Sequence, residues 1–355
     1  MSRKMPRKRI SPEKFNIPVE LIKSGFYTDK YFVRTRKVLL AEGNHNKVIM
    51  QIFPRDNGYI CGIDEASAVI YLCSDNPHEI KINALHDGDR MSKNETVMTI
   101  EGDYSSFAHL ETIYLGILSR GSSVATSVKE VVDAAKGKPV LFFSSRFDYY
   151  PTQIIDGYAA LIAGASGVST DANGYLMGVE GTGTIPHALI ASFNGNTVEA
   201  CRAFYENTPD DVNLIALVDF DNDCIGTSLK VARHFGKKLW GVRCDTAGDL
   251  RDISVTPIGN DSLGVCPELV YKLRKSLDNE GFNWVKIVVS GGFNAEKVRR
   301  FVELDVPFDA VGVGSYFFRR RIDFTADVVM VNGKPVSKVG RFYNPNPKLS
   351  EVNFN

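Results

Sequence analysis

The sequence predicts an α/β fold: an irregular (β/α) barrel together with a second, β-rich α+β domain built from both chain ends. Three observations predict it. From Pro139 onward, strand-like and helix-like segments alternate, and the strand-like ones are continuous apolar runs, as parallel strands covered on both faces require. Between about 30 and 105, short apolar runs are split by turn residues. After Arg319-Arg320-Arg321 the chain returns to β character.

Taken in order, residues 1–15 form a basic tail expected to be disordered, with Arg3, Lys4, Arg7, Lys8 and Arg9 near its start. Residues 16–108 carry the runs Tyr31-Phe32-Val33, Val38-Leu39-Leu40, Val48-Ile49-Met50, Tyr59-Ile60-Cys61, Val69-Ile70-Tyr71-Leu72 and Thr96 to Ile100, all read as strands. The period then changes. Leu110, Ile113, Tyr114, Ile117 and Leu118, then Val124, Val128, Val131, Val132 and Ala135, recur at helical spacing, and Gly137 and Pro139 stop the helix. Residues 109–321 are the expected barrel domain. Its strands are Val140–Ser144, Gly167–Thr170, Ala188–Ser192, Leu214–Phe220, Leu239–Cys244, Val285–Ser290 and Ala310–Gly314. Helices are expected over 152–164, 197–207, 225–235, 267–279 and 294–304; Asn196 with Glu199 resembles a capping box. Residues 322–355 rejoin the first domain through a hairpin, Val328 to Val331 and Val336 to Val339 around Asn332-Gly333.

Composition narrows the functional classes. Of 355 residues 44% are apolar and 24% charged, ordinary for a globular chain with a full core. Lys plus Arg equals Asp plus Glu at 42 each, which argues against a broad nucleic-acid footprint. No apolar run approaches the roughly 18 residues of a membrane span. Six widely spaced cysteines without a C-x-x-C pair read as reduced thiols, so a cytoplasmic setting is expected and a disulfide framework is not.

In a parallel barrel the chemistry sits at the carboxyl ends of the strands. Gly183-Thr184-Ile185-Pro186-His187 places one histidine where a glycine-rich turn enters an apolar run, and an imidazole there can serve as nucleophile, base or proton donor. Asp219 and Asp221 share a face of an extended segment. They suit a magnesium ion or ribose hydroxyls, or else open a turn and cap the next helix. Arg243 and Asp245 also share a face and either grip an anion and a ribose or pair with each other. Ser290-Gly291-Gly292 and Gly312-Val313-Gly314 lie at the tips of adjacent late strands, where glycines let phosphate oxygens reach backbone N–H groups. Arg146, after the first barrel strand, either holds a carboxylate or lies free on the surface. Together these residues describe a site for a sugar phosphate, a divalent metal, a second anion and one histidine.

The motifs carry a resemblance. Phe26-Tyr27-Thr28-Asp29, Glu101-Gly102, His109-Leu110-Glu111-Thr112, Arg146, Gly183 to His187, Val218-Asp219, Gly241 to Asp245, Ser290-Gly291-Gly292 and Gly312 to Gly314 occur in an order and spacing that resemble the nicotinate phosphoribosyltransferases over nearly the whole chain. These are type II phosphoribosyltransferases related to the quinolinate enzyme. The resemblance implies transfer of ribosyl 5-phosphate from phosphoribosyl pyrophosphate to the ring nitrogen of nicotinate, coupled to ATP hydrolysis through a phosphohistidine at His187, in NAD biosynthesis. It implies that Asp219 and Asp245 hold ribose hydroxyls or Mg2+ (with Asp221 a further metal candidate), that Gly291, Gly292 and Gly314 cradle the 5-phosphate, that Thr184, Ser290 and Gly312 bind substrate, and that Arg146 and Arg243 face the carboxylate or phosphates. It further implies a homodimer, or an oligomer of dimers, with Tyr27 lent across the interface, and no zinc, since no carboxyl-terminal cysteine module is present. A quinolinate or nicotinamide phosphoribosyltransferase, and a non-catalytic protein that senses phosphoribosyl metabolites, are the competing readings.

Overall fold

The computed structural model describes residues 8–354. The chain divides into two compact units. One comprises the described residues up to Ser127, Ile154–Ala163 and the chain from Arg320 onward; the other comprises Val128–Gln153 and Gly164–Arg319. The boundary differs from the expected 109–321 for a physical reason. A single 24-residue helix, Glu111–Ala134, serves both units, and its first half buries Tyr114 and Leu118 in the core of the first.

The first unit is built on an antiparallel six-stranded sheet. Its strand order is Lys334–Pro335, Phe324–Val331, Lys47–Pro54, Met98–Asp103, Lys81–Ala84 and Ser350–Glu351. Both ends of the chain therefore contribute strands. Ile52, opposite both Ala326 and Met98, lies in a core shared with the helix Ile63–Cys73. That helix corrects the strand expected at Val69 to Leu72. It is buried nearly all round, so its apolar residues show no helical period. Lys30–Ala41 is likewise a helix and not two strands; no turn residue interrupts it, and only Phe32 of its apolar residues is buried. The C-terminal hairpin turns at Asn332 and Gly333, both at positive φ, but its second strand is Lys334–Pro335 and not Val336 to Val339.

The expected disordered tail ends earlier than residue 15. Arg9 Nη1 donates to Asp64 Oδ1 at 2.9 Å, Ile10 N donates to Asp64 Oδ2 at 2.9 Å, and Phe15 is buried. Arg3, Lys4 and Arg7 lie outside the described residues.

Asp87 is a buried carboxyl in this unit. It accepts from Ile63 N at 2.9 Å and from the Tyr158 hydroxyl at 3.1 Å. Burial, reinforced by Asp64, pushes its pKa up to about 7. The folded state therefore holds a proton that the unfolded chain releases near pH 4. Stability falls as pH rises from there to about 7, and the penalty persists above. Asp87→Asn keeps the shape and removes the charge. It is expected to melt higher than the parent at pH 8, by on the order of 2 kcal/mol, with the difference shrinking at pH 5; calorimetry at the two pH values checks this.

The second unit carries the barrel strands, numbered here in chain order: β1 Val140–Phe142, β2 Gly167–Val168, β3 Leu214–Leu217, β4 Leu239–Cys244, β5 Lys286–Val289 and β6 Ala310–Val313. They form one curled parallel sheet in the order β2-β1-β6-β5-β4-β3. Helices Thr197–Glu206, Cys224–Phe235, Pro267–Asn279 and Ala295–Glu303 return the chain between strands. Three are capped by side chains: Asn196, Asp223 and Asn294 accept from Glu199 N, Gly226 N and Lys297 N. The third of the seven expected strands, Ala188–Ser192, is instead the short helix His187–Ser192, with Pro186 at its N-cap where a missing N–H costs nothing. The barrel is thus a six-stranded half-barrel.

Candidate active site

A cavity of about 740 Å³ opens at the carboxyl ends of the strands in the second unit. Residues that follow five of the six strands, all but β3, line it. Beyond β5, Ser290, Gly291 and Gly292 line it; beyond β6, Gly314. Gly291 and Gly292 have φ of +84° and +67°, a backbone that side chains rarely adopt, and a Cβ on Gly291 would lie 3.1 Å from Thr246 O. This turn leads into the N-terminus of helix Ala295–Glu303 and suits a phosphate.

Beyond β4, Asp245 enters the cavity wall and is fixed by Ser290, whose Oγ donates to Asp245 Oδ1 at 2.7 Å. Arg243, on β4 in register with Val288 of β5 and Leu217 of β3, also lines the cavity. Its Nη2 reaches Ile185 O at 3.4 Å, its Nε is buried without a partner, and its guanidinium lies 5.8 Å from the Phe143 ring centre. Burial lowers its pKa, opposed by the nearby charges of Asp245 and Asp219. Among the described residues Arg243 and Asp245 form no ion pair, which removes the rim-closing alternative.

The loop that follows β2 brings His187 to the opposite wall. Thr182 N donates to Val168 O at 2.6 Å and Gly181 N donates to Asp171 Oδ1 at 2.9 Å. At Gly174 an added Cβ would sit 1.7 Å from Val179 O, so the fold back requires glycine. Past buried Ile185, His187 Nε2 meets Asp219 Oδ2 at 2.9 Å. The imidazole is 46% exposed and the carboxylate 7%. Burial raises the Asp219 pKa, partly offset by the His187 interaction. Asp219 Oδ1 is buried with no hydrogen-bond partner.

Of the residues singled out in the sequence, His187, Asp245, Arg146, Thr184, Arg243, Ser290, Gly291, Gly292, Gly312 and Gly314 all line this one cavity. Asp219 stands behind His187. Asp221 is exposed in the following turn and does not line the cavity, while Asp223 caps its helix. Tyr27 belongs to the first unit, 50% exposed and edge-on to Phe26 at 5.0 Å. Among the described residues no group of three or more His, Cys, Asp or Glu is arranged to hold a metal ion. A magnesium ion fits only as such ions commonly bind, through one or two carboxylates and substrate phosphates. Sequence reading missed Ser145, Ser169, Thr170 and Thr182 on the wall. The signal was Ser169-Thr170 at the carboxyl end of β2, two hydroxyl residues where a parallel barrel puts its chemistry.

Comparison with known proteins places this architecture. The family model for the quinolinate phosphoribosyl transferase N-terminal domain matches residues 29–122, and that for the C-terminal domain matches residues 124–325. The chain belongs to this family. Nicotinate phosphoribosyltransferase of Bacillus subtilis is 24% identical over 325 residues, covering 82% of this chain and 63% of that protein. Nicotinate phosphoribosyltransferase pncB1 of Mycobacterium tuberculosis is 27% identical over 266 residues, covering 72% of this chain and 55% of that protein. The chain thus spans little more than half the length of these relatives. Among solved structures, nicotinate-nucleotide pyrophosphorylase from Pyrococcus furiosus superposes with a TM-score of 0.81 at 33% identity, over 95% of this chain and 85% of that one. Human nicotinic acid phosphoribosyltransferase shares the fold, with a TM-score of 0.66 at 17% identity over 90% of this chain and 77% of that one. No helix among the described residues is long and apolar enough to cross a membrane.

Proposed function

We propose that this chain is a nicotinate phosphoribosyltransferase that couples base transfer to ATP hydrolysis through a phosphohistidine at His187, in NAD biosynthesis. The observation that carries the reading is the His187–Asp219 contact of 2.9 Å at the wall of a cavity whose floor suits a phosphate. A carboxylate that accepts one ring N–H fixes the imidazole and leaves the other nitrogen's lone pair as a nucleophile. That lone pair takes the terminal phosphoryl group of ATP, and ADP leaves. The phosphorylated ring then presents negative charge to the cavity. Its hydrolysis, after base transfer, returns the free histidine.

In the transfer itself the bond from the anomeric carbon to pyrophosphate breaks as the nicotinate nitrogen approaches. Positive charge develops on the ribose. Asp245, held by Ser290, would accept ribose hydroxyls, and Asp219, behind His187, would add its negative charge to the stabilisation. Gly291 and Gly292 present backbone N–H groups to the 5-phosphate, and Arg243 and Arg146 face the anionic groups. Mg2+, if held by Asp219 or Asp245 with substrate phosphates, would neutralise the leaving pyrophosphate. A homodimer, with Tyr27 lent to the neighbouring site, and a cytoplasmic location complete the reading. Exposed Phe26, packed edge-on against exposed Tyr27, and six free buried cysteines support these two points respectively.

Quinolinate is the second candidate base, favoured by the family whose models match. The test offers phosphoribosyl pyrophosphate and Mg2+ with nicotinate, quinolinate or nicotinamide, each with and without ATP. The expected product is nicotinate mononucleotide, formed faster with ATP and accompanied by ADP. Turnover of quinolinate alone, indifferent to ATP, would overturn the proposal.

A further inference from the structure

Beyond β1 and β2 the cavity wall is lined with hydroxyls. Behind them lies Asn173, 1% exposed and not itself part of the lining. Its Nδ2 donates to Gln153 O at 2.7 Å. A carbonyl only accepts, so this contact fixes which way the amide faces. Asn173 Oδ1 therefore points at the hydroxyls, accepting from Ser145 Oγ and lying 2.9 Å from Thr170 Oγ1.

The direction of every proton follows. Ser145 has one hydroxyl proton, and it goes to Asn173. The contact between Ser145 Oγ and Ser169 Oγ, 2.8 Å, must then be donated by Ser169. Thr170 has one proton as well, and both oxygens in reach are amide oxygens inside the network, Asn173 Oδ1 and Gln153 Oε1 at 3.0 Å. No hydroxyl proton of the three is left for the cavity. Towards a ligand these three hydroxyls offer lone pairs only, and Arg146 beside Ser145 is the cationic donor of this wall.

We infer that Asn173 is a positioning residue for base selection: by orienting the Ser145 and Ser169 hydroxyls it makes the hydroxyl face beyond β1 and β2 acceptor-only, so that a pyridine ring with one carboxylate, turned to Arg146, is admitted and a second carboxylate against the hydroxyls is refused. This rests on the functional reading above. The phosphate turn lies beyond β5 and the Asp245 carboxylate beyond β4, which leaves the β1–β2 end for the base. One carboxylate can turn to Arg146 or Arg243. A second, on the neighbouring ring carbon, meets oxygen lone pairs without a donor, and unpartnered acceptors facing an anion are costly. The ring C–H bonds meet the same lone pairs favourably, the more so as the ring nitrogen becomes cationic on transfer.

The test measures equilibrium binding of nicotinate and of quinolinate (pyridine-2,3-dicarboxylate) to the full chain by calorimetry. In the parent, nicotinate binds and quinolinate binds far more weakly. In Asn173→Ala, Ser145 is free to turn its proton to the cavity, while Thr170 keeps Gln153 Oε1 as its acceptor. Quinolinate binding should tighten roughly tenfold, with nicotinate nearly unchanged. A gain of this kind does not arise from structural damage. Asn173→Asp keeps an oxygen facing Ser145 and should retain the parent's discrimination. Ser169→Ala removes outward lone pairs without touching Asn173, should gain quinolinate binding likewise, and carries the test if Asn173→Ala does not fold. No gain in either alanine variant, or an equal gain in Asn173→Asp, overturns the inference even where the parent makes nicotinate mononucleotide with ATP. A parent that binds quinolinate in preference overturns it too, and then ATP-independent turnover of quinolinate decides separately against the functional reading.

Discussion

His187→Ala is expected to abolish phosphoryl transfer from ATP to the protein and to slow base transfer by roughly a hundredfold, leaving the fold intact. The side chain is 46% exposed, and its contact is to one carboxylate, so little packing is lost. The measurement is an acid-labile phosphoprotein formed from terminally labelled ATP, read beside mononucleotide formation. Asp219→Asn separates charge from shape. The amide oxygen can still accept the ring N–H, but the carboxylate charge that supports a cationic or phosphorylated ring is gone. Phosphoprotein should form more slowly in this variant, while nicotinate binding holds. The pH dependence has a fixed sign. Burial raises the Asp219 pKa, so the parent should lose phosphorylation on acidification sooner than an ordinary surface carboxylate would dictate. Asp219→Asn should lack that acidic limb. Undiminished labelling of His187→Ala would remove the histidine from the mechanism.

Much of the half-barrel was legible because buried parallel strands write themselves as unbroken apolar runs. β4 was read to its residues, Leu239–Cys244, and so was the helix Pro267–Asn279. Once the strands were placed, the rule that ligands meet their carboxyl ends pointed to Asp245, Gly291 and Gly314 with no further information. His187 was found by its glycine-rich approach, but its surroundings were not. Ala188 to Ser192 has the composition of a buried strand, and only its position after Pro186 marks a helix start. Its partner Asp219 lies 32 residues away on another strand end, a pairing that depends on how the loop from β2 folds back. The helix Lys30–Ala41 was misread because its apolar residues come in triplets while most of them face outward. The proton directions around Asn173 were out of reach entirely. They follow from burial of one amide, and no residue spacing encodes that.

Arg243→Ala is expected to weaken binding of pyrophosphate or of phosphoribosyl pyrophosphate by ten- to a hundredfold, the range of a lost charged hydrogen bond. The same change should leave the melting temperature of the ligand-free protein little altered. These two expectations come from the same geometry. A buried cation with an unpartnered Nε and one long contact to Ile185 O has been desolvated without full compensation, so removing it relieves a cost. Against this, Asp219 and Asp245 lose a nearby positive charge, and the two effects oppose each other. A purely structural arginine would behave otherwise, since truncating a saturated buried pair costs about 3–5 kcal/mol. The discriminating measurement is the rise in melting temperature on adding pyrophosphate with Mg2+, which tracks affinity for the folded state. The parent should rise and Arg243→Ala should stay nearly flat. Arg243→Lys should not restore the response, because a lysine offers a point charge where the planar fork can donate two parallel bonds. A full response in Arg243→Ala would mean that the guanidinium faces no ligand, and the anion site would then have to rest on Arg146 and the Gly291–Gly292 turn alone.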